Sequence, residues 1–289
     1  MNALHISAPG LTDQQVQQVL QSLHLSTGML ASQTGAGWSR HALPDTFQAD
    51  RGALLDVAKQ HRCDIAVLGP KHTADQFKLL AMDMDSTLIT IECIDEIADY
   101  AGKKKEVSEI TEAAMRGEIK DFSESLNRRV ALLKGVPASS LQAVLNERLQ
   151  LSPGAEALIA FAKQHGWKTL LVSGGFTFFT DAMKTRLGLD YTRSNTLEIV
   201  DGLLTGRVLG TIVDADVKRE TVLTVCQELG CSAEQAIAMG DGANDLKMMG
   251  VAGASVAFRA KPAVQAQTDF CINVGGLDTV CQWMTGSLA

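Results

Sequence analysis

No stretch of this chain approaches the roughly 18 consecutive apolar residues that a bilayer span needs. The N-terminus, MNALHISAPGLTDQQ, lacks the basic start and the apolar core of a signal peptide. A cytoplasmic protein without a membrane partner is the expectation. Basic clusters are missing too: no Lys/Arg-rich run or aromatic-basic stripe interrupts a formal charge of −7, a balance that repels the nucleic-acid backbone and argues against such a partner. The six cysteines, Cys63, Cys93, Cys226, Cys231, Cys271 and Cys281, form no C-x-x-C pair and have no histidines at zinc-finger spacing. They read as reduced, mostly buried thiols. Internal repeats and low-complexity tracts are absent as well.

What remains is the composition of a globular protein, with 46% apolar and 20% charged residues, enough to bury a sizeable core. A length of 289 residues exceeds one average domain and suggests two units. The first, residues 1–72, alternates helical and strand patterns. Thr12 and Gln15 have capping-box spacing, and Val16, Val19, Leu20 and Leu23 share one helical face. Gly37 to Leu43 reads as a strand, Ala53 to Ala58 as part of a helix, and Cys63 to Gly69 as a short buried strand closed by Gly69-Pro70. The expected order is βαββαβ, a small α+β unit.

Residues 73–289 have apolar strands that end in polar or glycine-rich residues: Phe77 to Met82 before Asp83, Thr169 to Val172 before Ser173, and Ala236 to Met239 before Gly240. Helical patterns separate them, which predicts an α/β fold with a doubly wound, Rossmann-like parallel sheet binding its ligand beyond the strands' carboxyl ends. A mostly helical insertion at about 91–150 is longer than a crossover needs and is placed to cap that edge. Leu197 to Val208 reads as a hairpin turning at Asp201-Gly202.

Asp83-Met84-Asp85-Ser86-Thr87 presents two carboxylates at one strand end. A polar loop or helix cap would explain a lone D-x-D; phosphoryl transfer explains more. Asp83 is ionised at neutral pH and can attack phosphorus without a general base, with Asp85 carrying protons out and back. Packing a carboxylate against a phosphate dianion then demands cations. Gly240-Asp241-Gly242-Ala243-Asn244-Asp245 offers carboxylates for magnesium, a hard ion that prefers oxygen ligands, although an Asp-Gly turn before a helix would also look like this. Ser173-Gly174-Gly175 could grip phosphate oxygens through a hydroxyl and backbone N–H groups, or simply turn the chain. Lys218 lies near a helix start, where a cation opposes the helix dipole and hints at a bound anion; a solvated lysine beside Arg219 is the alternative.

Together DMDST, SGG, the later lysine and GDGAND resemble the motif set of the haloacid dehalogenase-like phosphatases, in order and at strand ends. IECIDEIA and EAAMRGEIKDFSESLNRRVALLKG are similar, more narrowly, to the members of that family that act on phosphoserine, and the likeness runs from about Leu80 to the C-terminus. The resemblance implies hydrolysis of O-phospho-L-serine as the last step of serine biosynthesis, with Asp83 as nucleophile and Asp85 as acid and base. It implies Mg2+ held by Asp83, the backbone carbonyl of Asp85 and Asp241, with Asp245 in support. Phosphate would be held by Ser173, Gly174, Lys218 and Asn244. A phosphomutase, or a phosphatase for another small phosphomonoester, is the alternative.

Within the cap, Arg129 and Glu92 match the carboxylate and ammonium of the substrate in the family pattern. Arg129 also has separate support, since at about 100° per residue it falls in the stripe of Phe122, Leu126, Val130 and Leu133 whereas Arg128 points away; snorkelling to the surface is the competing reading. Glu92 is selected over Asp95 and Glu96 by the family pattern alone. Met115 and Phe122 occupy positions of apolar cap residues in that pattern, though core packing explains them equally. The first unit resembles regulatory modules of the ACT type in its order of elements, implying an amino-acid site or contacts in a homodimer.

Overall fold

The computed structural model describes residues 2–25, 32–44, 46–48, 50–115, 119 and 121–285. Side-chain detail at Met115, one of the expected cap residues, lies outside what is described.

Six elements open the chain: β1 (Ala3–Ser7), α1 (Asp13–Ser22), β2 (Ser32–Gly35), β3 (Trp38–Ala42), α2 (Arg51–His61) and β4 (Asp64–Leu68). Their order is the expected βαββαβ, and the strands form an antiparallel sheet, β2-β3-β1-β4. Val16, Val19 and Leu20 bury the apolar face of α1 against Leu4, Ile6, Val57 and Ile65. Only half of the capping box forms. Thr12 Oγ1 accepts from the Gln15 N–H at 3.2 Å, but the Gln15 side chain donates instead to the His61 carbonyl at 2.6 Å, stitching α1 to the end of α2.

The rest of the chain supplies β5 (Leu79–Met82), then α3 (Cys93–Tyr100), α4 (Lys104–Met115), α5 (Phe122–Ala131), α6 (Ser139–Glu147) and α7 (Ala155–Gln164). These are followed by β6 (Lys168–Phe176), α8 (Thr177–Leu187), β7 (Tyr191–Val200), β8 (Leu203–Leu209), α9 (Ala215–Glu228), β9 (Ala236–Gly240), α10 (Leu246–Met249), β10 (Ala254–Phe258), α11 (Pro262–Gln265), β11 (Phe270–Ile272) and α12 (Thr279–Met284). The second sheet runs β11-β10-β9-β5-β6-β7-β8 and is parallel except for the β7–β8 pair. Leu79 to Met82 are wholly buried, as befits a central parallel strand covered on both faces. Because β5 pairs with β6 on one side and β9 on the other, the strand order switches beside it, and a crevice opens beyond its carboxyl end.

The β7–β8 hairpin turns at Asp201 and Gly202, whose φ angles of 51° and 76° suit a two-residue turn. One expectation shifts: β6 does not stop at Val172 but runs through Ser173-Gly174-Gly175 to Phe176, with its register against β7 interrupted between Val172 and Phe176. Helix α8 accordingly starts at Thr177. The insertion is helical, from α3 to α6, and it leaves and returns through a narrow neck. There Ile89 bridges Leu151, the Thr90 N–H donates to the Gln150 carbonyl and the Ser152 N–H to the Leu88 carbonyl, both at 2.9 Å.

Three side chains of the N-terminal sheet unit clamp it to the larger one. The buried Asp64 carboxylate accepts from the backbone N–H groups of Asn273 (2.6 Å), Val274 (3.1 Å) and Gly275 (2.7 Å). Arg40 donates to the Gln282 carbonyl at 2.6 Å, and Arg51 donates to the carbonyls of Gln265 and Asp269 at 2.6 Å each. No described helix is long and apolar enough to cross a membrane.

Candidate active site

Where β5 ends, the chain breaks into a wide turn over Met84–Leu88, and Ser86 takes a left-handed φ of 57°. Such a conformation is uncommon for a residue with a Cβ and marks an over-determined position. Asp83 stands at the strand tip, buried. Lys218 reaches it from the first turns of α9, its Nζ 2.8 Å from Asp83 Oδ1 and 2.7 Å from Asp245 Oδ1. The contact with Asp83 is ionic without hydrogen-bond alignment, so Oδ1 has no hydrogen-bond partner although it is buried. The Asp245 contact is a true hydrogen bond.

The loop after β9 completes the floor. Gly240 must be glycine, since a Cβ there would run into the Asp245 carboxylate. Asp245 is wholly buried, and its second oxygen accepts from the Gly242 N–H at 3.0 Å. Asp241 accepts from Thr87 Oγ1 at 3.2 Å. Asn244 lies in the intervening turn, Ala243–Asp245. From β6, Ser173 is buried with its hydroxyl accepting from the Gly175 N–H at 2.9 Å. A Cβ on Gly175 would stand 2.5 Å from Asp85 Oδ2, and one on Gly174 would stand 2.8 Å from the Phe122 ring of the cap. The glycines therefore let β6 approach both the first loop and the cap.

One oxygen each of Asp83, Asp241 and Asp245 lie within 4.8 Å of one another, an arrangement that could hold a metal ion. Of the three, Asp245 has both oxygens engaged, by Lys218 and the Gly242 N–H. Asp83 and Asp241 are thus the more open donors. Three carboxylates share one ammonium here, and two of them, Asp83 and Asp241, hold their protons above the usual carboxylate range. Burial, then the Asp245 charge, pushes Asp83 up to about 7; burial, then Asp83, pushes Asp241 to about 8. Burial would pull the Lys218 ammonium down, but Asp245 and Asp83 outweigh it and hold its pKa above the usual lysine value. A cluster of carboxylates with more negative charge than its one ammonium offsets fits a divalent cation with oxygen ligands.

Asp85 is pushed up to about 8, chiefly by burial and then by Glu92, and its Oδ1 accepts from the Cys93 N–H at 3.0 Å at the start of α3. Glu92 occupies the position before that helix without capping it through its side chain, and accepts a hydrogen bond from Ser86 Oγ at 2.7 Å. The serine hydroxyl helps hold the carboxylate in place and opposes the rise in its pKa that the surrounding protein causes, although the residue as a whole is exposed. Among the rivals, Glu96 is tied up by Lys104 and Arg148. Asp95 is half-buried, and the Arg129 charge acts against the burial that raises its pKa. Arg129 is partly buried on the cap's inner face, where burial lowers its pKa and Glu92, Asp95 and Asp85 offset part of that loss; Arg128 is exposed and paired with Glu124. Sequence reasoning overlooked Ser86 and Cys93 as supports, although both lie within eight residues of an expected acid. It also missed Asn195, whose partners are distant in sequence.

Residues 77–253 match the family model of haloacid dehalogenase-like hydrolases. A phosphoserine phosphatase of Polaromonas sp. is 59% identical over 222 residues, covering 75% of this chain and 94% of its own. An HAD family hydrolase structure from Salmonella enterica subsp. enterica serovar Typhi superposes with a TM-score of 0.90 at 31% identity, covering both chains in full. A phospho-aspartyl intermediate analogue of phosphoserine phosphatase gives a TM-score of 0.68 at 39% identity, over 72% of this chain and 99% of its own. With the family model spanning more than half of its length and these relatives most of it, the chain belongs to the haloacid dehalogenase-like hydrolases.

Proposed function

We propose that this protein hydrolyses O-phospho-L-serine to L-serine and phosphate through an aspartyl-phosphate on Asp83, the last step of serine biosynthesis. The observation that carries the reading is the convergence of the Asp83, Asp241 and Asp245 carboxylates beside the buried Lys218 ammonium at the end of β5. Glu92 and Arg129, of opposite charge on the cap, suit the ammonium and carboxylate of a zwitterionic substrate. Relatives named phosphoserine phosphatase support the same substrate.

Asp83 attacks as its carboxylate, a form that burial and Asp245 make less favoured than the sequence suggests and that a bound cation would favour, and forms a bond to phosphorus as the bond from phosphorus to the serine oxygen breaks. Asp85, kept protonated near neutrality, gives its proton to the departing alkoxide. Water then attacks the phosphorus, Asp85 takes the water's proton, and Asp83 is released as the carboxylate. Ser173, Gly174, Asn244 and Lys218 hold the phosphoryl oxygens throughout. Mg2+ bound by Asp83, Asp241 and the Asp85 carbonyl would offset the charge that gathers as phosphate meets carboxylate.

Phosphate release from phosphoserine with magnesium, compared with glucose 1-phosphate and phosphoethanolamine, tests this reading against a phosphomutase or a less selective phosphatase. Phosphoserine should be strongly preferred, and the Asp83→Asn variant should lose turnover almost entirely. Near-normal turnover by that variant would remove the covalent route.

We further divide the chain into an N-terminal unit, 1–72, and a phosphatase unit, 73–289, with its cap at about 91–150, in keeping with two separate sheets. Free cysteines support a cytoplasmic setting. A homodimer is the remaining expectation, and sedimentation of the chain tests it.

A further inference from the structure

Ser173, Gly174 and Gly175 lie where β6 leaves its ladder with β7. Pairing is regular from Leu170 opposite Tyr191 to Val172 opposite Arg193, and resumes only at Phe176 opposite Asn195. A strand that departs from its neighbour turns backbone groups toward a ligand, but it also strips carbonyls of their ladder partners. Asn195 replaces one such partner. Its side-chain Nδ2 donates to the Gly174 carbonyl at 2.8 Å.

The other end of the same amide has a second task. Asn195 Oδ1 accepts from the Val213 N–H at 2.8 Å. Val213 directly precedes Asp214, the cap of α9, and Lys218 follows within that helix's first turns. The two ends cannot be exchanged, because a carbonyl needs a donor and an N–H needs an acceptor. Asn195 is only 1% exposed, so water cannot substitute for either contact. One buried side chain therefore spans two separate segments, 21 and 18 residues away along the chain, that the proposed mechanism brings to the same phosphate.

We propose that Asn195 is a positioning residue that holds the Ser173–Gly175 segment and the start of α9 at a fixed separation, so that hydroxyl, glycine backbone and Lys218 close on one phosphate together. This rests on the reading of the site as one that takes a phosphomonoester. It assigns the residue an effect on phosphate affinity as well as on folding. A buried amide needed only for stability would lower the melting temperature and leave the affinity of the folded protein alone.

Asn195→Asp is close to isosteric and keeps an acceptor for Val213, but it donates to the Gly174 carbonyl only while protonated, so the comparison is made at the alkaline end of the active range, where a carboxylate oxygen faces that carbonyl. The full-length parent and variant are compared for competitive inhibition by inorganic phosphate during phosphoserine turnover, and for half-saturation by magnesium. The inhibition constant for phosphate should rise by about 10- to 100-fold, the scale on which misplacing a reacting group is felt, with magnesium half-saturation unchanged. Ser173→Ala should weaken phosphate inhibition in the parent but add little in the Asn195→Asp background, because both act on the same segment.

A folded variant with parent-like phosphate inhibition, or a fully additive cycle with Ser173→Ala, overturns the assignment. So does an Asn195→Asp chain that cannot fold, since Asn195 is then a structural residue. If the parent itself neither releases phosphate from phosphoserine nor responds to inorganic phosphate, the functional reading falls and the assignment with it; a responsive parent matched by its variant sinks the assignment alone.

Discussion

Lys218 Nζ and Asp245 Oδ1 stand 2.7 Å apart, and solvent reaches neither side chain. The pair is anchored on both sides, by the Gly242 N–H on the second Asp245 oxygen and by Asp83 on the ammonium. Removing one member of a buried pair strands the other charge, at a cost of about 3–5 kcal/mol. Asp83 still faces the ammonium in Asp245→Ala, so the stranding arises in Lys218→Ala, which leaves both carboxylates buried without their cation, and urea unfolding of Lys218→Ala should show a loss of that size. Asp245→Asn keeps the shape and one acceptor and should lose less.

The crowded carboxylates make stability depend on pH in a definite direction. Asp83 holds its proton to about 7, and Asp85 and Asp241 hold theirs to about 8, whereas the unfolded chain gives up such protons near about 4. Between those limits the folded state binds more protons, so this contribution is complete on the acid side and is lost as pH rises toward 8. Calorimetry on divalent-free protein should show a lower melting temperature at pH 8 than at pH 6. Added magnesium should raise it more at pH 8, and Asp241→Asn should flatten both differences.

Arg129 provides a test of substrate choice. A hydrogen-bonded charge facing the substrate carboxylate is worth about 1.5–3 kcal/mol, or roughly 10- to 150-fold in affinity. Arg129→Ala should therefore raise KM for phosphoserine by about that factor and leave phosphoethanolamine, which has no carboxylate, nearly unaffected. An equal loss with both esters would make Arg129 a structural residue. The exposed Arg128 serves as the control.

Asp64 separates two ways of disturbing the joint between the sheets. In Asp64→Ala the N–H groups of Asn273, Val274 and Gly275 lose their acceptor while the joint stays covered, a change expected to cost about 3 kcal/mol. Deleting residues 1–72 instead opens those groups to water, which satisfies them. The truncated chain should melt at a lower temperature yet keep some hydrolysis, measured as phosphate release from phosphoserine.

How much of this was legible depended on whether the signal was local. Arg129 could be placed on the inner face of α5 because helical periodicity relates it to Leu126 and Val130, three residues before it and one after. The hairpin at Asp201-Gly202 and the strand ends before Asp83 and Asp241 are local in the same sense. Strand β1 was not singled out, because its five residues carry no alternation: all of Ala3 to Ser7 are buried. The strand is expected from the sequence to end before Ser173-Gly174-Gly175, which either grips phosphate or turns the chain, since glycine pairs usually punctuate chains; here close approach to Phe122 and Asp85 explains the glycines within a continuing strand. Asn195 gave no sign at all, as neither Gly174 nor Val213 is near it in sequence.

The helical insertion leaves and returns through the bridged neck at Ile89 and Leu151, and it is held a second time where Gly135, Val136 and Ala138 pair with the β7–β8 hairpin at Gly202 and Leu204. Because its two ends lie side by side, the insertion can be exchanged without rethreading any strand of the sheet beneath, as long as the replacement also pairs with the hairpin. On the proposed function, bond breaking and choice of molecule would then lie in separate pieces of the chain, and a transplanted flap would redirect the same nucleophile to a different ester.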